Sequence, residues 1–129
     1  MIIFGIGIDV VEVDRIEAAI EKQGDLFLNR LFTQREREYC CRQKRPALHY
    51  AARFAAKEAV SKALGTGIGK SAGWLDMEVL RGESGAPTMI FSGNAAAFLE
   101  EHGIAAVQVS LSHAKEYAAA NAVALRHPA

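Results

Sequence analysis

The stretch "ALHYAARFAAKEAVSKAL", residues 47–64, constrains the fold more than any other part of the chain. It is rich in alanine, holds no glycine and no proline, and is followed at once by Gly65. Alanine has the highest helix propensity, and glycine is the usual residue just past a helix end. The segment therefore predicts one long helix over residues 47–64 that stops at Gly65.

Strand patterns flank this helix at a distance. In residues 2–9, Ile2, Phe4, Ile6 and Ile8 fall on one face, while Ile3, Gly5, Gly7 and Asp9 fall on the other. The second face carries little bulk near its end and then a carboxylate. Asp14-x-x-Glu17 matches a capping box and predicts a short helix with Ile16, Ala19 and Ile20 inward and Gly24 as its stop. A further helical stretch covers about 25–31. Thr33-x-x-Glu36 is a second capping-box match, for a helix reaching about Gln43, and Pro46 ends that stretch. Past the glycines, residues 74–81 and 87–92 read as two strands joined by the turn "GESG", and 94–102 as a helix stopped by Gly103. Residues 105–112 alternate Val107, Val109 and Leu111 against Gln108, Ser110 and Ser112, and a turn "HAKE" leads to a last strand over 117–126. Helices early and antiparallel strands late define an α+β class. No repeat, low-complexity tract or linker divides residues 1–129, so a single domain is expected.

Half of the residues are apolar and 23% are charged, which is a globular composition. No apolar run approaches the ~20 residues of a membrane span, and "MIIFGIGIDV" lacks the basic leader of a signal peptide. Cys40 and Cys41 are adjacent and cannot staple distant segments, so two reduced thiols in a cytoplasmic protein are expected. The formal net charge of zero hides an asymmetry: residues 30–71 carry ten bases against three acids, and both flanks are acidic. A basic middle points to a local anionic ligand or an acidic partner. The chain as a whole is not basic and shows no nucleic-acid motif, which argues against bulk nucleic-acid binding.

"ALGTGIGKSAG" (63–73) has the look of a triphosphate-binding loop. Such a loop needs glycine five positions before the glycine that precedes Lys-Ser, and counting back from Gly69 lands on Leu64. It also leaves a helix rather than a strand, so this reading fails. Upstream, Phe54, Glu58, Ser61, Lys62 and Gly65 recur at spacings of three and four along one side of the helix. Taken alone, Glu58 and Lys62 read as a surface ion pair. Together with Asp9 at a glycine-bared strand end, they could instead hold a metal-bound diphosphate, because Mg²⁺ favours one or two protein carboxylates with water and phosphate oxygens. Trp74, Phe27, Phe32 and Phe98 read as packing residues, and His49 and His102 as surface or packing histidines.

"GIGIDVVEVDRIE" (5–17) and "RFAAKEAVSKALGTGIG" (53–69) closely resemble the two signature segments of the 4′-phosphopantetheinyl transferases of the holo-acyl-carrier-protein synthase type. The likeness continues through "RLFTQREREYC" (30–40), "SGAPTMIFSG" (84–93) and "SLSHAKEYAAANAV" (110–123). The resemblance implies the family's fold, an antiparallel sheet packed with the long alanine-rich helix, assembled as a homotrimer with active sites between subunits. It implies Mg²⁺-dependent transfer of 4′-phosphopantetheine from coenzyme A to a serine of apo acyl carrier protein, in support of fatty acid synthesis. Asp9 and Glu58 match the family's metal-binding carboxylates, and Lys62 matches a lysine that contacts the diphosphate. Gly65 and Thr66 match the phosphate-side loop. Lys44, Arg45 and Arg53 match basic positions near the coenzyme A phosphates, His113 a position associated with the nucleotide, and Arg15 a position facing the carrier protein. Glu58, directly or through a metal-bound water, is the candidate base for the serine hydroxyl. Two other classes fit parts of the pattern: a nucleotide-binding regulatory module, and a non-catalytic trimer that docks carrier proteins. Both predict that Asp9→Ala leaves the main activity intact, whereas a transferase loses it.

Overall fold

A computed structural model describes residues 1–128 of the chain; Ala129, the last residue of the expected domain, lies outside the described residues. The elements in order are β1 (Ile2–Glu12), α1 (Val13–Gln23), α2 (Asp25–Leu31), α3 (Gln34–Cys41) and α4 (Pro46–Leu64). A 3₁₀ turn (Trp74–Asp76), β2 (Met77–Arg81), β3 (Pro87–Phe91), α5 (Gly93–Glu101), β4 (Ile104–His113) and β5 (Tyr117–Arg126) follow. β1, β5 and β4 form one antiparallel sheet in that order, and β2 and β3 form a separate hairpin. No helix among the described residues is long and apolar enough to cross a membrane.

α4 is the axis of the molecule. Every alanine on it is buried, and its neighbours are β1, β5, α1, β4, α3 and β2. Small side chains on both partners let α4 lie close against the sheet: Gly5 and Gly7 on β1, and Ala118, Ala120, Ala122 and Ala124 on β5. A Cβ added at Gly5 would stand 1.9 Å from the Ala63 carbonyl oxygen, and one at Gly7 1.9 Å from that of Ala59. The glycine face of β1 is thus the packed face. The register puts Ile6, Ile8 and Val10 on the opposite face, where they are 65%, 65% and 61% exposed. Phe4 sits at a register shift between Ile3 and Gly5 and turns in to meet Phe98 edge-on.

Gly65 ends α4 in the left-handed conformation at φ 78°, as its position predicts. The Thr33–Glu36 capping box is present, with the Thr33 hydroxyl accepting from Glu36 N–H and the Glu36 carboxylate from Thr33 N–H. The Asp14–Glu17 box is not. β1 runs on to Glu12, Val13 is buried and its N–H donates to the Glu116 carbonyl, so the helix begins two residues before such a box allows. Pro46 opens α4 at its first helical position, where its missing N–H costs nothing, and α3 already ends at Cys41. Trp74–Asp76 form a 3₁₀ turn rather than the start of a strand, and Trp74 stacks on Phe54 with centroids 5.1 Å apart.

A buried ion pair fixes the helices to the hairpin. Lys57 and Glu36 are both fully buried, with Lys57 Nζ 2.7 Å from Glu36 Oε1. Nζ also donates to the carbonyls of Leu31 and Trp74, and Glu36 Oε2 accepts from Val79 N–H. Burial pulls the Lys57 ammonium below the ordinary lysine range, and the Glu36 carboxylate opposes that pull. Three acceptors around one ammonium leave no donor wasted, which is the condition under which a buried pair is tolerated.

Candidate active site

β1 and α4 bring Asp9, Glu58 and Lys62 together. Asp9 shares the face of Gly5 and Gly7 along the register of β1, unbroken from Gly5 onward, which puts its side chain on the α4 side of the sheet. Lys62 Nζ reaches back across β1, 3.1 Å from Asp9 Oδ1 and 2.9 Å from the Ile8 carbonyl. One turn earlier, Glu58 shares with Asp9 a cleft of about 420 Å³ whose other walls include Arg15, Ile16, Phe27 and Phe54. Burial pushes the Glu58 carboxyl up, the Asp9 charge pushes it further, and the Lys62 ammonium opposes both. The two carboxylates therefore repel one another, and a cation between them would relieve the repulsion. Hard oxygen donors in this number suit Mg²⁺. Ser61, on the same side by spacing, is buried and donates to the Glu58 carbonyl, which takes it out of the cleft.

The loop after α4 bends over its own helix end. Thr66 and Gly67 N–H both donate to the Ser61 carbonyl, and the Thr66 hydroxyl donates to the Gly67 carbonyl. Gly69 and Ala72 pair across a turn that carries Lys70 and Ser71 to the surface of α5, beside Asn94, Phe98 and Glu101. Lys70-Ser71 is thus on another part of the surface from the carboxylates.

The remaining basic residues divide. Arg15 is exposed and lines the carboxylate cleft. Lys44 is exposed in the bend between α3 and α4. Arg45 donates to the Lys115 carbonyl and faces Asp14 at 3.9 Å. Arg53 and His113 line a second cleft of about 170 Å³ with His49, Arg81, Gly85 and Pro87, and the two clefts share no residue. Sequence reasoning missed Arg81 and His49 here. The spacing of His49 to Arg53, one helical turn, was the available signal for His49; Arg81 arrives on β2 and gave none.

Three comparisons set this geometry among known proteins. The family model described as the 4′-phosphopantetheinyl transferase superfamily matches residues 5–122. A holo-[acyl-carrier-protein] synthase of Ruminiclostridium cellulolyticum is 50% identical over 119 residues, covering 92% of this chain and 89% of its own. The crystal structure of the holo-[acyl-carrier-protein] synthase of Neisseria meningitidis superimposes with a TM-score of 0.91 at 34% identity, covering 97% of this chain and all of that one. That of Bacillus anthracis, in complex with CoA (3′,5′-ADP), gives 0.81 at 40% identity over 98% of this chain and all of its own. A chain with this fold and these relatives is a phosphopantetheinyl transferase. The chain belongs to the 4′-phosphopantetheinyl transferase superfamily, and within it to the holo-[acyl-carrier-protein] synthases.

Proposed function

We propose that this chain, acting as one domain over residues 1–129, transfers 4′-phosphopantetheine from coenzyme A to a serine of apo acyl carrier protein and releases adenosine 3′,5′-bisphosphate. The observation that carries the reading is that Asp9 and Glu58, 49 residues apart in the sequence, line one cleft, with Lys62 paired to Asp9. Asp9 and Glu58 hold Mg²⁺, which when bound supplies positive charge to the diphosphate. Lys62 adds its ammonium to the oxygens on which charge develops. Glu58, directly or through a water held beside it, accepts the serine proton. Gly65 and Thr66 place backbone beside the phosphates, and Arg15 at the cleft rim meets the acidic carrier protein. Supply of holo carrier protein for fatty acid synthesis, in the reducing cytoplasm that suits the free thiols of Cys40 and Cys41, is the role that follows.

Lys44, Arg45, Arg53 and His113 bind the nucleotide end of coenzyme A, and they do so across a subunit boundary. Two features support a homotrimer with sites between subunits. Ile6, Ile8 and Val10 form an uncovered apolar row on the strand that carries Asp9. The Arg53–His113 cleft and the carboxylate cleft are separate in one chain, so a neighbour's cations can complete each carboxylate pair.

The test is chromatographic. Incubation with coenzyme A, Mg²⁺ and an apo acyl carrier protein should release adenosine 3′,5′-bisphosphate in step with carrier consumed, and a chelator should stop it. Release that persists in excess chelator would refute the metal assignment; no release with several apo carriers would refute the transferase reading.

A further inference from the structure

The cleft beside Arg53 holds a pair of imidazoles that the transfer step does not use. His49 on α4 meets His113 at the end of β4 edge-on, with ring centroids 5.5 Å apart. The guanidiniums of Arg53 and Arg81 lie over the Tyr39 ring at 4.3 and 5.8 Å from its centroid, and Tyr39 meets His49 edge-on. The groups facing His49 are therefore Tyr39 from α3, Arg53 from its own helix, Arg81 from β2 and His113 from β4. No carboxylate lines the cleft among the described residues. Arg53 is 4% exposed, and its buried Nε has no hydrogen-bond partner among the described residues. Arg45, one turn before His49, is turned instead to Lys115 and Asp14. Two guanidiniums and two imidazoles thus share a small space with no anion to balance them.

Partial burial, His113 and the two guanidiniums hold the His49 imidazole below the ordinary histidine range. A phosphate monoester, mostly a dianion near neutral pH, reverses the sign of the local field and offers acceptors to every N–H in the cleft. We infer, on the transferase reading above, that a nucleotide phosphate entering the Arg53–Arg81 cleft draws one proton from solvent onto the His49–His113 pair, so that nucleotide binding is coupled to proton uptake. No covalent bond changes; the proton returns to solvent when the nucleotide leaves. Nucleotide affinity accordingly rises as pH falls.

Calorimetry with adenosine 3′,5′-bisphosphate at about pH 7, in buffers of different ionisation enthalpy, measures the coupling directly. The wild-type protein should take up a substantial fraction of a proton per site, and His49→Phe, which keeps an aromatic ring, should lose at least half of that uptake. Should His49→Phe fail to fold, ring-proton NMR on the wild type carries the test: the His49 midpoint should rise when the bisphosphate is added. Binding without uptake, uptake unchanged in His49→Phe, or a His49 midpoint that does not move would overturn the inference. The transfer assay on the same wild-type sample separates the two claims. Transfer without proton uptake removes only the coupling, whereas neither binding nor transfer removes both.

Discussion

Asp9 is a carboxylate on the glycine-bared face of β1, and in isolation it says nothing. Its meaning comes from Lys62 Nζ at 3.1 Å and from Glu58 in the same cleft, both contributed by a helix far along the chain. Spacing within α4 made Glu58 and Lys62 neighbours; Mg²⁺ chemistry and the resemblance suggested Asp9 as their partner, and the structure brings the three together. Lys57 shows the opposite case. In sequence it is one more cation of a basic stretch, yet it is fully buried against Glu36 and two carbonyls from distant segments. Backbone acceptors leave no mark in a sequence, so this role was not legible. The adjacent cysteines separate in the same way. Burial, against the nearby Arg53 charge, pushes the Cys40 thiol up to about 12, while Cys41 is exposed. Alkylation of the native protein at about pH 8 should therefore add one group, at Cys41, and the second only on unfolding. Equal labelling of both in the native state would contradict the packing of α3.

At the level of elements, what was legible depended on how local the cause is. Thr33-x-x-Glu36 and Asp14-x-x-Glu17 are the same pattern, but only the first is a capping box. The second loses because β1 continues through Glu12 and pins Val13 to the β4–β5 turn, a tertiary fact that no four-residue pattern contains. Gly65 was legible because a helix stop is local. The glycines of β1 were legible as a bare face but not as a contact. With a Cβ at Gly7 only 1.9 Å from a backbone oxygen, Gly7→Ala should cost at least the ~1–3 kcal/mol of an overpacked core, read by urea unfolding. A neutral effect would mean that α4 does not lie on β1 as described. Glu78 ties α3 to β2 and gives this contact a pH signature. Burial alone would raise its carboxyl, but the Thr33 hydroxyl and the Arg35 guanidinium outweigh burial and hold it below the ordinary range. The unfolded chain then takes up this proton first, so the stabilisation is present above the ordinary carboxylate value and is lost as pH falls through the lowered one. Between about pH 5 and pH 3, Glu78→Gln should lose less stability than the wild type. An equal loss would remove Glu78 from the acid transition.

On the scale of the whole molecule, the α+β class was legible from helices early and strands late, and the sheet order β1-β5-β4 was not, because pairing joins the two ends of the chain. The proposed assembly rests on the uncovered row of Ile6, Ile8 and Val10. On the proposed trimer with shared sites, Ile8→Glu should convert a sedimenting trimer into monomer and abolish transfer together. A stable monomer with full activity would refute the shared site. The basic middle of the chain should speed encounter with an acidic carrier protein, and that advantage should fade with salt as the screening length falls toward ~8 Å. The central claim, that Asp9 and Glu58 serve a phosphopantetheine transfer, is tested most directly by the intact mass of an apo acyl carrier protein after incubation with coenzyme A and Mg²⁺. The account predicts a gain of one phosphopantetheine on the carrier with the wild-type protein and none with Asp9→Ala. An unmodified carrier with the wild type, or a fully modified one with Asp9→Ala, would contradict it.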